Sequence, residues 1–298
     1  MHICEILTCP VCGGPLIREG KSLVCTGGVK KHTYDVSREG YVNLLPPGKG
    51  KNSRTGDEAA MIRARSVFLG SGAYDRLSDE VARLIAENTE EDSIVVVDSG
   101  CGEGYHTCRF SKELGKLGKN VLCAAFDASK HGAAAGAKHS VKLNMAPASG
   151  VGESFDGDAQ ALFMTGNIFS LPIKDSSADA VVSMFAPIAW EENRRILKPG
   201  GILVVAASGI DHLEEMRKVI YDNVIKKAPE VVSGEGFEQI GRTSVRYTAS
   251  LTSSDMIMNL FGMTPFCYKT PKEAVERLRE KNSLDVTVNT DYFIFKKL

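Results

Sequence analysis

Residues 97–104 read Val97-Asp98-Ser99-Gly100-Cys101-Gly102-Glu103-Gly104, directly after the apolar run Ile94 to Val97. A buried strand thus feeds an acidic-x-Gly-x-Gly-x-Gly turn. Glycine lets the backbone pass close to a ligand where a Cβ would clash. The turn opens into a predicted helix whose first N–H groups have no intrahelical partner. The spacing departs from the dinucleotide-binding G-x-G-x-x-G. The plainer alternative is a structural glycine turn in some other α/β domain.

Outward from this turn, strands and helices alternate. Apolar runs predict strands at 94–98, 121–126, 161–165, 180–184 and 202–206. Helices are predicted from Gly104 and from about Ser129, with two more at 57–69 and 75–87 ahead of the first strand. Such alternation predicts a parallel sheet with helices on both faces. The last 55 residues differ: strands at 243–251 and 285–295 enclose helices near 254–260 and 271–281. Residues 140–160, with Pro147, Gly150, Gly152 and Gly157, read as an extended loop between the second and third strands.

The composition is that of a folded chain: 298 residues, 43% hydrophobic and 24% charged, with a net charge of −1. No overall charge excess points to nucleic acid. Charge is uneven, however: residues 1–56 hold eight Lys/Arg against four Asp/Glu, a local +4. No apolar run reaches the ~18 residues of a membrane span, and the first residues show no apolar signal-like stretch. Eight cysteines without such a signal lead us to expect reduced thiols or a metal, and a cytoplasmic location.

Cys9 and Cys12 form a C-x2-C knuckle, and Cys25 follows after twelve residues that read as a hairpin. His32 follows Cys25 after six intervening residues, which include Gly27-Gly28; Cys4 is its rival as fourth ligand. Three thiolates and an imidazole make a closed tetrahedral zinc site, structural and not catalytic. A module of residues 1–45 has too little core to be secure alone, so a metal fits. Residues 46–56, with Pro46-Pro47, Gly48, Gly50, Lys49, Lys51 and Arg54, read as a basic linker whose cations either contact phosphate or are merely solvated. Residues 57–298 form the second domain.

Asp127 ends the second strand, where an acid can accept both hydroxyls of a ribose; its plainer role is to cap the next helix. Asn167 and Ile168 follow the third strand, where an amide and a backbone N–H can read a purine edge. With the glycine turn they mark a nucleoside cofactor at the carboxyl ends of the strands. Phe185-Ala186-Pro187 follows the fourth strand, and Lys198-Pro199-Gly200-Gly201 turns into the fifth. The turn at Asp98, Gly100, Gly102 and Gly104 resembles the first motif of class I S-adenosylmethionine-dependent methyltransferases. That resemblance implies a Rossmann-like seven-stranded sheet. The Asn/Asp-Pro-Pro-aromatic loop of base-amino methyltransferases is missing, which argues against an exocyclic amine acceptor.

The two modules together resemble the bacterial large-subunit ribosomal RNA guanine-N1 methyltransferases over nearly the whole chain. The resemblance rests on Cys9/Cys12/Cys25/His32, on Arg38-Glu39-Gly40-Tyr41-Val42-Asn43-Leu44-Leu45-Pro46, on Asp98 to Tyr105, on Phe185-Ala186-Pro187 and on Met263-Thr264-Pro265-Phe266. It implies S-adenosylmethionine as methyl donor, a structural zinc, and a hairpin loop in domain II of 23S rRNA as substrate. It also implies a homodimer whose zinc modules help form an RNA cleft. One branch of the family is linked to macrolide (antibiotic) resistance. It implies cofactor contacts from Tyr74, Gly102-Glu103 and His212, and zinc at Cys9, Cys12, Cys25 and His32. The Cys25–His32 gap and the 140–160 loop are both longer than the family pattern.

Guanine N1 carries a proton at neutral pH, so some group must accept it. Glu191 and Glu192 lie near the acceptor loop but read more simply as first-turn helix acids. Trp190 can stack a splayed base or pack in the core. No catalytic base is assigned. The rival function is a small-molecule methyltransferase with a zinc interaction module; a third is a non-catalytic RNA-binding protein, against which the intact glycine turn argues.

Overall fold

The computed structural model describes residues 2–28, 30–46, 57–143, 145–147 and 159–298. The expected basic linker therefore lies outside the described residues from 47 to 56, as does most of the expected 140–160 loop. The N-terminal region folds as a three-stranded antiparallel ribbon, β1 (Leu16–Glu19), β2 (Ser22–Cys25) and β3 (Thr33–Asp35). The main sheet contains β4 (Val42–Asn43), β5 (Ser93–Ser99), β6 (Asn120–Asp127), β7 (Ala146–Pro147), β8 (Ala159–Thr165), β9 (Ala178–Met184), β10 (Leu197–Ser208), β11 (Phe237–Leu251) and β12 (Leu284–Lys297). The helices are α1 (Ala59–Leu69), α2 (Asp75–Glu87), α3 (Tyr105–Lys116), α4 (Lys130–Lys142), α5 (Trp190–Ile196), α6 (Glu214–Ile220), α7 (Ser254–Gly262) and α8 (Lys272–Arg279).

The sheet order is β11-β12-β10-β9-β5-β6-β8-β4, with β7 also on β8. All seven expected strands are present, and β12 runs antiparallel to both β10 and β11. The sheet exceeds the expected seven strands by two short ones. Val42 and Asn43 pair with Met164 and Thr165, and Ala146 and Pro147 pair with Gln160 and Ala161. Neither two-residue strand is long enough to show a period of two, so neither is visible as a strand in sequence.

The central strands are apolar throughout because both faces are covered. In β5, Ile94 and Val96 enter one core layer while Val95 and Val97 enter the other. The first layer is helical: α2 presents Leu77, Val81, Leu84 and Ile85, and α3 presents Phe110 and Leu114. The second departs from the expected helix layer. The β8–β9 connection (residues 166–177) contains no helix, and the N-terminal module lies there instead. Thr8 N–H donates to Pro172 O (2.9 Å), and Lys174 N–H donates to Ile6 O (2.8 Å). Ile3, Ile6, Leu7, Leu16 and Leu23 share one core with Val95, Val97, Phe126, Met164 and Phe295. The module is thus built onto the sheet, and a boundary at residue 45 follows a strand that the sheet itself uses.

Candidate functional site

Two sites emerge from this frame. In the first, Cys9, Cys12, Cys25 and His32 bring their ligand atoms within 4.8 Å of one another. The Cys12 and Cys25 sulfurs are 3.3 Å apart, and His32 Nδ1 lies 3.5 Å from Cys9 Sγ and 3.7 Å from Cys12 Sγ. A tetrahedral zinc with Zn–S of about 2.3 Å needs separations slightly under 4 Å, so the four donors fit it. Local backbone explains the convergence. Gly14 and Gly27 meet face to face, so that a Cβ on Gly14 would stand 2.7 Å from Gly27 Cα. Cys25 N–H donates to His32 O (2.8 Å), which draws the distant histidine back to the knuckle. Cys4, the rival ligand, is outside this group, and burial pushes its thiol up. Burial also opposes the Cys9 thiolate. Hydrogen bonds from Tyr34 Oη (3.1 Å) and from backbone N–H groups outweigh that and bring Cys9 down to about 6.

The second site is a cavity of about 1380 Å³ at the carboxyl ends of β5, β6, β8, β9 and β10. The glycine turn forms its floor. Gly100, Gly102 and Gly104 have φ of 101°, 55° and 76°, the left-handed region that glycine enters without strain. Gly100 and Gly102 line the cavity. Gly104 stands behind it, where a Cβ would meet the Phe163 ring at 2.4 Å. Asp127 is held rigidly, its two carboxylate oxygens accepting from Gly102 N–H (3.0 Å) and Ser129 N–H (2.7 Å). The helix-cap role belongs to Ser129, whose hydroxyl accepts from Gly132 N–H.

Asp98 and Glu103 are both buried on the cavity wall. Asp98 accepts from Thr107 Oγ1 at 2.5 Å, and Glu103 lies 3.5 Å from Arg65, which also pairs with Asp57 at 2.7 Å. Burial pushes each carboxyl up to about 7, against the Thr107 hydrogen bond in one case and the Arg65 charge in the other. The charged lining comprises Asp57, Asp98, Glu103 and Asp127 against Arg65 and Lys130, which suits a cationic ligand.

Tyr74 and His212 meet in the lining of the same cavity, with Tyr74 Oη 3.4 Å from His212 Nε2. Asn289 N–H donates to His212 Nδ1 (3.2 Å), so the ring is neutral with its proton on Nε2. Burial lowers His212 to about 4. Asn167 and Ile168 line the same cavity, and Asn167 Oδ1 accepts from Phe169 N–H (3.1 Å). Of the residues expected to hold a cofactor, all but Gly104 therefore converge here, from well-separated segments of the chain.

Other expectations resolve differently. Trp190 is half-buried and packs against the core, edge-on to Phe295 (5.0 Å) and Phe237 (5.4 Å). Glu192 accepts from Leu171 N–H and pairs with Arg195 at 2.6 Å, while Glu191 is exposed; neither lines the cavity. Sequence reading missed Asp57, Arg65 and Lys130, whose contribution depends on α1 and α4 docking beside the turn. It also missed His106, whose Nδ1 lies 2.8 Å from Ser78 Oγ; its place two residues past Gly104 was an available cue.

Among the described residues, three non-glycine residues have positive φ, and two of them, Phe185 (53°) and Leu213 (54°), line this cavity. Such a conformation costs of order 1–2 kcal/mol and is retained only where surrounding structure enforces it.

Residues 7–54 match the family model described as RlmA, N-terminal, and residues 97–205 match that of a methyltransferase domain. The chain is 32% identical over 304 residues to YxjB of Bacillus subtilis (strain 168), which carries the name of a 23S rRNA (guanine-N(1)-)-methyltransferase; the match spans 98% of each chain. It is 29% identical to the 23S rRNA (guanine(748)-N(1))-methyltransferase of Streptomyces fradiae, over 100% of this chain and 99% of that one. A Micromonospora griseorubida protein of the same name type is 28% identical over 89% and 87% of the two chains.

Proposed function

The chain belongs to the 23S rRNA (guanine-N1)-methyltransferase family, and from that premise we propose that it methylates N1 of a guanine in a hairpin loop of 23S rRNA. The carrying observation is one chain in which a four-ligand zinc ribbon is built onto the sheet whose carboxyl ends form an acid-lined cavity. When bound, S-adenosylmethionine supplies a sulfonium-activated methyl group. Its positive charge suits the acid-rich lining, and Asp127, fixed by two N–H donors, is set to accept from ribose hydroxyls. Tyr74, Asp98, Gly100, Gly102, Glu103, Asn167, Ile168 and His212 would complete that pocket, with Gly104 supporting the turn from behind.

A volume of about 1380 Å³ exceeds the roughly 300–1,000 Å³ of a typical small-molecule site, leaving space for an acceptor base beside the cofactor. Transfer then requires mainly in-line positioning. The ribbon's zinc is structural, because all four positions are filled by protein ligands. In this reading the protein acts in the cytoplasm as a homodimer, with residues 1–45 reading RNA; no helix among the described residues is long and apolar enough to cross a membrane. Incubation with tritiated S-adenosylmethionine and 23S rRNA, followed by mapping of the modified nucleotide, tests the proposal. The expected result is one methyl on a guanine N1. Label on a small molecule and none on rRNA would overturn it.

A further inference from the structure

We infer that Phe185 is the stacking surface for the acceptor base. The inference rests on the rRNA reading and adds the residue that holds the base. The acceptor of that reaction is a planar heterocycle, which needs an aromatic or guanidinium face to lie against once it leaves its own stack. Trp190, the residue sequence reading offers for this, is packed among Phe237, Phe295 and the backbone at Gly234.

Phe185 has the required properties. It follows the carboxyl end of β9, lines the cavity and leaves 43% of its surface exposed. The next residue, Ala186, faces the glycine turn: a Cβ on Gly100 would stand 2.6 Å from Ala186 Cβ. Phe185 and the glycine turn border the same cavity, so a base laid on the ring would share it with the cofactor. The His106 and His212 rings flank it at centroid distances of 6.5 and 6.1 Å.

Neither its backbone nor its exposure favours a phenylalanine there on stability grounds. At φ 53° the main chain is in the region where Asn or Gly is preferred, and an apolar ring faces solvent. Phe185 N–H donates to Ala206 O (2.9 Å), and Ser183 Oγ donates to Ala186 O at 3.4 Å, so sheet and loop together hold the strained turn. A residue kept against both preferences inside a ligand cavity marks a role in binding.

The test compares Phe185→Gly, Phe185→Leu and Phe185→Trp with the wild-type chain on 23S rRNA. Phe185→Gly relieves the backbone, so its Tm should equal or exceed wild type while methylation falls about tenfold to hundredfold, the range of a lost base stack. Phe185→Leu keeps an apolar side chain without a π-face and should lose activity similarly. Phe185→Trp should restore most of it. Calorimetric affinity for S-adenosylhomocysteine should stay within about twofold in all three. Wild-type rates on rRNA in Phe185→Gly or Phe185→Leu would overturn the inference, as would loss of cofactor affinity in step with activity. If the wild-type chain itself leaves rRNA unlabelled, it is the rRNA reading that fails.

Discussion

The two faces of the central sheet are covered by different means. On one, α2 and α3 lay apolar stripes into the same core layer as Val96, Cys123 and Val204. On the other, the β8–β9 connection has no helix, and a small ribbon fills the place. A helix layer stabilises itself through its own backbone hydrogen bonds and broad apolar stripe. The ribbon has strands of three or four residues and too little core of its own, so its form depends on the cross-link at Cys9, Cys12, Cys25 and His32. The metal cluster therefore supports part of one face of the sheet that carries the cavity, beside α5.

Loss of zinc should have the largest effect. Chelation, or Cys12→Ser or Cys25→Ser, should unfold the ribbon and bare Val95, Val97 and Phe126. Several kcal/mol of burial would go, lowering Tm by about 10 °C or more at about 2–4 °C per kcal/mol. Trp190, the chain's only tryptophan, packs against this same face and reports on it. Its emission should shift to the red as zinc is removed. A ribbon that merely hangs on a tether predicts no shift and an unchanged main transition. Deleting residues 1–45 is a harsher version, since it removes the Val42–Asn43 strand as well.

The next effect belongs to the cavity. Asp127→Ala should weaken S-adenosylmethionine binding by about 1–3 kcal/mol, the scale of hydrogen bonds to a charged acceptor. Trp190 emission should not move, because the change lies away from the ribbon-covered face. Unchanged affinity by calorimetry would remove Asp127 from the site.

Asp98 and Glu103 give a smaller, pH-dependent difference between the regions. Both are raised to about 7 by burial, above their ordinary range near 4. Between about pH 4 and 7 the folded chain therefore holds protons that the unfolded chain has lost, and stability falls as pH rises through that window. Asp98→Asn should flatten this slope. Binding a cation beside the two acids favours their ionised forms, so S-adenosylmethionine should release protons near pH 7, and S-adenosylhomocysteine, which lacks the sulfonium charge, fewer. Calorimetry in buffers of different ionisation enthalpy measures the difference; equal release by both ligands would contradict it.

The smallest expected change comes from the basic stretch between the modules. Reversing Lys49, Lys51 and Arg54 to Glu should weaken rRNA binding. The dependence of log K on log salt should become shallower, by up to about one unit for each phosphate that is no longer neutralised. Cofactor affinity and Tm should stay as they are. An unaltered salt slope would assign these cations to solvent.

The glycine turn, the seven principal strands and three of the four zinc ligands are legible along the chain alone. Each of these is written in adjacent residues. A turn that needs positive φ selects glycine locally, a doubly covered strand is apolar over its whole length, and a C-x2-C knuckle is fixed by its own backbone. Tertiary packing settled the choice between His32 and Cys4, because that choice depends on how the Gly27-Gly28 turn folds back against Gly14. It also placed Trp190 against the core, brought Arg65 and Asp57 to the turn, and put the ribbon where a helix would lie. These outcomes depend on packing between segments tens to hundreds of residues apart, where burial and charge pairing leave no periodic trace along the chain.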